Sequence, residues 1–150
     1  MKFIKKIIIF SMLLEAFSAN VYAAVDNNKI IGHRGASGLA PENTVAAFER
    51  AAQIGMWGIE SDLYVLRDGN IVMFHDETVD RMTNGCGNII DMTLEEVKAL
   101  TIDNGNYIEN YKGLKIPTFD EYLNCCKRNN LVPIIEFKIV NEESVKEIIN

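Results

Sequence analysis

Gly58-Ile59-Glu60-Ser61-Asp62-Leu63-Tyr64-Val65-Leu66 decides how this chain folds. The run reads as one strand, whose side chains alternate between two faces with a period of two. Glu60 and Asp62 therefore share one face, while Ile59 and Leu63 share the other. A carboxylate pair on a strand is usually a solvated face. Within a parallel sheet covered by helices neither face is freely solvated. The pair then marks the part of the sheet that carries chemistry.

The neighbouring segments support such a sheet. Lys29-Ile30-Ile31-Gly32 is a short apolar run that leads into His33-Arg34-Gly35, a strand with its exit loop. Pro41-Glu42-Asn43-Thr44 opens a helix that Asn43 or Thr44 can cap, with Val45, Phe48 and Ala52 as its apolar stripe and Gly55 near its end. Arg67-Asp68-Gly69-Asn70 is a turn, and Ile71-Val72-Met73-Phe74 is a third strand that runs into His75-Asp76. Thr93-Leu94-Glu95-Glu96 is a capping box. Pro117-Thr118 opens a further helix with Phe119, Tyr122 and Leu123 toward a core. Leu131 to Phe137 is a fourth strand, and another helix is expected from Val140.

Short, continuous apolar strands alternating with helices predict an α/β fold with a parallel sheet. One join is unusual. Only residues 63–70 separate the acidic end of the second strand from the third, with no crossover helix. Eight extended residues reach at most about 26–29 Å, enough to run back along the sheet before the third strand rises. A barrel or half-barrel accommodates this better than a doubly wound sheet.

Composition sets the outer bounds. The chain has 150 residues, 48% hydrophobic and 24% charged, an ordinary globular mix that excludes a wholly disordered or collagen-like chain. Its net charge of -6 argues against a nucleic-acid partner, which calls for a basic face. Lys2, Lys5 and Lys6, the apolar run Ile7 to Leu14 and Val21-Tyr22-Ala23 form the pattern of a secretory leader over residues 1–23. Export to a periplasm or to the medium is therefore expected. The leader's apolar run is shorter than the roughly 20 residues a membrane span needs, so no stable span is expected after cleavage. Cys86, Cys125 and Cys126 are odd in number, and Cys86 with one of the adjacent pair is the only easy disulfide. With no His nearby they read instead as small buried apolar residues.

The chemistry collects at the strand ends. The chain has two histidines, His33 and His75, and each directly follows an apolar strand. Glu136 lies near the end of the fourth strand. In a parallel barrel these ends meet at one rim, where sites are built. Three inward carboxylates, Glu60, Asp62 and Glu136, repel one another unless a cation neutralises them. An oxygen-only donor set favours Mg²⁺ or Ca²⁺ over zinc. Arg34 and Lys138 add positive charge, although Lys138 reads equally well as a surface lysine.

His33-Arg34-Gly35-Ala36, Pro41-Glu42-Asn43-Thr44, Gly58-Ile59-Glu60-Ser61-Asp62, Phe74-His75-Asp76-Glu77, Thr83-Asn84-Gly85 and Ile135-Glu136-Phe137-Lys138 occur in order along the chain. Together with Asp68-Gly69 and Lys115-Ile116-Pro117-Thr118, this set resembles the glycerophosphodiester phosphodiesterases, from about Ile30 to Lys138. The resemblance implies a TIM-type (β/α) barrel over residues 24–150, and hydrolysis of glycerophosphodiesters to an alcohol and sn-glycerol 3-phosphate. It implies that Glu60, Asp62 and Glu136 hold a divalent metal, Ca²⁺ or Mg²⁺. It makes His33 and His75 the general acid and base, with Arg34 and Lys138 on the phosphate. Which imidazole is base is open from sequence; His33 as base and His75 as acid is the assignment adopted. Ser61, polar where an apolar residue is more usual, reads as taking no part.

A complete barrel of this type takes about 250 residues. The expectation is therefore a partial barrel of the first four strands, truncated at its C-terminal side. Such a chain is a fragment of a longer protein, half of a self-associated pair, or a non-catalytic exported product. A related phospholipase acting on choline lysolipids or sphingomyelin is the alternative within the enzyme class.

Overall fold

The computed structural model describes residues 29–139. The leader expected over residues 1–23 and the helix expected from Val140 lie outside the described residues. Four strands form one sheet: β1 (Ile31–His33), β2 (Gly58–Val65), β3 (Ile71–Met73) and β4 (Val132–Ile139). Among the described residues three α-helices accompany them: α1 (Val45–Gln53), α2 (Leu94–Ala99) and α3 (Phe119–Asn129).

β2 is the spine. Along one edge β4 runs parallel to it, from Gly58 opposite Val132 to Tyr64 opposite Ile139, and this register sets Asp62 against Glu136. Its other edge is shared. β1 runs parallel beside Gly58–Glu60, and β3 runs antiparallel beside Leu63–Val65. The three parallel strands, with α1 and α3 on their outer face, form an arc of a (β/α) barrel. The expected run back along the sheet does not occur. β2 continues to Val65 and turns directly, with Leu66 N–H donating to Asn70 O at 2.8 Å. Gly69 takes φ 80° in that turn, a left-handed conformation glycine adopts without a steric cost.

Each helix starts where its sequence predicts. Thr44 caps α1, its hydroxyl accepting from Ala47 N–H at 3.1 Å. Thr93 with Glu96 and Thr118 with Glu121 form complete capping boxes on α2 and α3. Phe48, Ala51, Ile59, Leu63, Met73, Tyr122, Cys125 and Cys126 form the core between helices and sheet. A second core, including Tyr64, Val72, Phe74, Val79, Ile89, Val97 and Ile116, lies under the long excursion between β3 and α3. All three cysteines are free thiols. Burial pushes the Cys126 thiol up to about 11, as befits an inert core residue. Cys86 is exposed, contrary to the buried role expected for it, because it lies in the loop after Asn84 rather than on a packed face.

Tyr122 couples the helix layer to the strand register. Its buried hydroxyl donates to Ile59 O at 2.7 Å and accepts from Ile134 N–H at 3.0 Å. One phenol thus satisfies a backbone group on each of β2 and β4, immediately below the acidic residues.

Candidate active site

The two histidines reach the rim from opposite directions. His33 ends β1, ascending, with Glu60 as its register partner. His75 follows β3, descending, just after Phe74 N–H donates to Asp62 O at 2.9 Å. They are therefore not at equivalent strand ends, as the apolar runs suggested. The tight turn after β2 reverses the third strand and lowers His75 to the level of the acidic pair. Tyr64 adds a hydroxyl contact to His75 O at 3.3 Å.

Glu60, Asp62 and Glu136 each offer one oxygen, all within 4.8 Å of one another. Asp62 is fully buried, Glu60 is mostly buried and Glu136 is exposed. Glu60 Oε2 accepts from Arg34 N–H at 2.9 Å and lies 3.8 Å from His33 Nε2. Glu60 Oε1 is buried with no hydrogen-bond partner. Burial pushes the Glu60 carboxyl up, and the Asp62 and Glu136 charges add to that rise against the opposing pull of Arg34 N–H and His33. An orphaned buried carboxylate oxygen beside two further carboxylates is a donor set suited to a hard cation.

Two cations border this set. Arg34 Nε lies 3.5 Å from Asp62 Oδ2, and Lys138 Nζ lies 2.9 Å from Asp62 Oδ1 in an ion contact without hydrogen-bond direction. Lys138 also pairs with Glu136 and is mostly buried, so it is no surface lysine.

Several site-building residues were not legible as such in the sequence. Asn43 is buried with left-handed backbone at φ 52°. Its Nδ2 donates to Asp62 Oδ2 at 2.8 Å, and its Oδ1 accepts from Ser61 Oγ at 2.6 Å. Ser61 is thus engaged at one remove from Asp62, where the sequence reading left it idle. The Arg34–Asn43 loop closes through Asn43 N–H on Arg34 O at 3.0 Å. It passes so close to α1 that a Cβ on Gly35 would lie 2.8 Å from the Ala47 backbone. Glu42 accepts from Arg34 Nη1 at 3.0 Å and from Arg81 Nη2. Arg81 also holds Asp76, which takes the His75 Nδ1 at 2.6 Å. Only the Asn-Thr capping signal and the acid-base spacing hinted at these residues, since the contacts that tie Asn43 to Ser61 and Asp62, and Glu42 to Arg81, span 18 to 39 positions.

Comparison with known proteins places this arrangement. The model of the glycerophosphoryl diester phosphodiesterase family matches residues 33–149. The chain belongs to that family. A glycerophosphodiester phosphodiesterase of Caldanaerobacter subterraneus is 46% identical over 110 residues, covering 73% of this chain and 44% of its own length. Human glycerophosphodiester phosphodiesterase 1 is 40% identical over 114 residues, covering 75% of this chain and 34% of its own. Among solved structures, a glycerophosphodiester phosphodiesterase from Agrobacterium tumefaciens superposes with a TM-score of 0.73 at 37% identity, covering 81% of this chain and 52% of that one. An Oleispira antarctica phosphodiesterase, solved with the product sn-glycerol-3-phosphate, gives a TM-score of 0.68 at 37% identity over 74% of this chain and 44% of that one. The chain thus spans about half the length of these relatives or less. Its arc of strands and helices is part of the TIM-type barrel of the family. Among the described residues, no helix is long and apolar enough to cross a membrane.

Proposed function

We propose that this site hydrolyses glycerophosphodiesters to an alcohol and sn-glycerol 3-phosphate, with Glu60, Asp62 and Glu136 holding a divalent cation, Ca²⁺ or Mg²⁺. The observation that carries the reading is the convergence of three carboxylate oxygens within 4.8 Å, one of them on a Glu60 whose other buried oxygen has no partner. The product bound by the Oleispira antarctica relative supports the substrate class.

A phosphodiester carries one negative charge, and its pentavalent transition state gathers more on the equatorial oxygens. A cation bound by the three carboxylates supplies Lewis-acid stabilisation of that charge. Arg34 binds the phosphate through its guanidinium, held in place by Glu42. Lys138, already on Asp62 and Glu136, adds a second positive group at the same side. His33 is exposed at the rim and takes the proton of the nucleophile, a water or a substrate glycerol hydroxyl. His75 gives a proton to the departing alkoxide. Asp76, an ionised acceptor, keeps the His75 Nδ1–H and stabilises the imidazolium, which leaves Nε2 to donate.

The reading includes export of the protein through the leader over residues 1–23, and completion of the pocket wall by a second copy when this chain acts alone. The test is release of sn-glycerol 3-phosphate from glycerophosphocholine, with Ca²⁺ or Mg²⁺ and with chelator. Metal-dependent turnover that disappears in His33→Ala is the expected result. A folded, cation-binding chain with no turnover as monomer or dimer would overturn catalysis by this chain alone and leave the reading of a fragment of a longer protein or of a non-catalytic exported product. N-terminal sequencing of the exported protein checks the leader.

A further inference from the structure

Glu42, His75 and Asp76 form a second group whose ligating atoms lie within 4.8 Å of one another. Unlike the carboxylate triad, where a buried Glu60 oxygen has no partner, this group has both of its carboxylates on one cation. Arg81 lies between the two carboxylates, with Nε and Nη2 on the Asp76 oxygens and Nη2 also on Glu42 Oε1. Glu42 Oε1 is the atom that accepts from Arg34 Nη1, and Asp76 Oδ1 is the atom that faces His75 Nδ1. The result is one continuous chain of charged contacts: Arg34, Glu42, Arg81, Asp76, His75.

That chain joins two separate parts of the fold. Arg34 and Glu42 come from the loop between β1 and α1, while His75, Asp76 and Arg81 come from the segment after β3. Arg81 and Glu42 are 39 positions apart in sequence. Arg81 is itself well placed to act as a strut. Its neighbours Val79 and Met82 are buried in the second core, and its carbonyl accepts from Asn104 Nδ2 at 2.8 Å. A planar guanidinium presents donors at fixed angles, so it can hold two carboxylates in a set relation that an ammonium cannot reproduce.

We propose that Arg81 is a positioning residue that holds the His75 ring and the Arg34 guanidinium in one frame. Through Asp76 it keeps the proton of the neutral His75 ring on Nδ1, so that Nε2 carries none, on a ring that lines the cleft with Tyr64 and Lys138. Through Glu42 it fixes the direction from which Arg34 meets a phosphate. The roles of His75 and Arg34 in this statement rest on the phosphodiesterase reading, but the placement itself does not require turnover.

The test uses the full chain with Arg81→Gln and Arg81→Lys. Because the chain has two histidines, long-range ¹⁵N correlation spectra assign each ring directly. Near pH 8 the unmodified protein is expected to show His75 as the Nδ1–H tautomer. Arg81→Gln is expected to give a mixed tautomer, and affinity for sn-glycerol 3-phosphate about tenfold lower, in line with losses on removing an orienting partner. Arg81→Lys is expected to recover thermal stability without recovering the tautomer or the affinity. A folded Arg81→Gln or Arg81→Lys protein with the His75 tautomer and phosphate affinity both unchanged overturns the proposal and leaves Arg81 a purely structural ion pair. Loss of hydrolysis is not the readout. If the unmodified chain fails to hydrolyse glycerophosphocholine, the tautomer shift in the variants still decides the matter.

Discussion

Two acidic clusters share one rim and differ in what neutralises them. Glu60, Asp62 and Glu136 stand on adjacent parallel strands, and buried Glu60 Oε1 has no partner. Glu42 and Asp76 stand on loops, and both close on Arg81. The titration behaviour follows. Burial, then the neighbouring acids, raises the Glu60 carboxyl. Arg81 hydrogen bonds hold Asp76 low, and for Glu42 the Arg81 and Arg34 contacts outweigh the upward push of burial. Similar residue types at similar spacing thus differ in kind: in one group Arg34 and Lys138 reach Asp62 and Glu136 but leave a buried Glu60 oxygen without a partner, and in the other Arg81 bridges both carboxylates. Counting carboxylates does not distinguish them; the partner of each oxygen does.

The contrast is open to direct challenge. The largest effect is expected in cation binding. Glu60→Gln and Asp62→Asn should weaken Ca²⁺ or Mg²⁺ binding by calorimetry beyond the roughly 10–100-fold that changes outside the ligand set cost. Asp76→Asn should leave the stoichiometry unchanged. A second cation bound by the unmodified chain at Glu42 and Asp76 would erase the distinction.

Tyr122→Phe probes how the first cluster is held. The change leaves Ile59 O and Ile134 N–H without the phenol, at an expected cost of about 1–3 kcal/mol in urea unfolding. Because Asp62 faces Glu136 through that strand pairing, cation affinity should fall with it. Wild-type stability in the variant would mean that the strands close on each other without the hydroxyl.

Acid should loosen the group centred on Arg81. Asp76 and Glu42 titrate lower folded than unfolded, so their contribution is present above the ordinary carboxylate value of about 4 and is lost as pH falls through the lower folded value. The stability of the cation-free protein should therefore decline below about pH 5, and Arg81→Gln should flatten that decline. Equal slopes for the two proteins in unfolding titrations would remove Arg81 as the source.

The smallest expected effect concerns Ser61. Ser61→Ala removes the donor that orients Asn43 toward Asp62, and should reduce cation affinity about tenfold. It should cost only about 1 kcal/mol of stability, which denaturant titration can resolve. An unchanged affinity would restore the idle role the sequence reading assigned to Ser61.

Local physical chemistry in the sequence determined a good deal. The caps at Thr44, Thr93 and Thr118 act through neighbours three residues away, and the alternation of β2 puts Glu60 and Asp62 on one face whatever else the chain does. The acidic triad and the two histidines were legible for the same reason, because strand periodicity and strand ends are local properties. Only the tertiary structure decided the direction of β3, since a positive-φ turn at Gly69 and pairing with β2 compete with a longer return path. It alone decided that Lys138 enters the site, that Ser61 reaches Asn43, and that Arg81 joins Glu42 to Asp76. Those contacts link residues far apart in the chain, and hydrogen bonds between side chains carry no periodic signature. Their geometry exists only once sheet, loops and helices have set the partners within about 3 Å of each other.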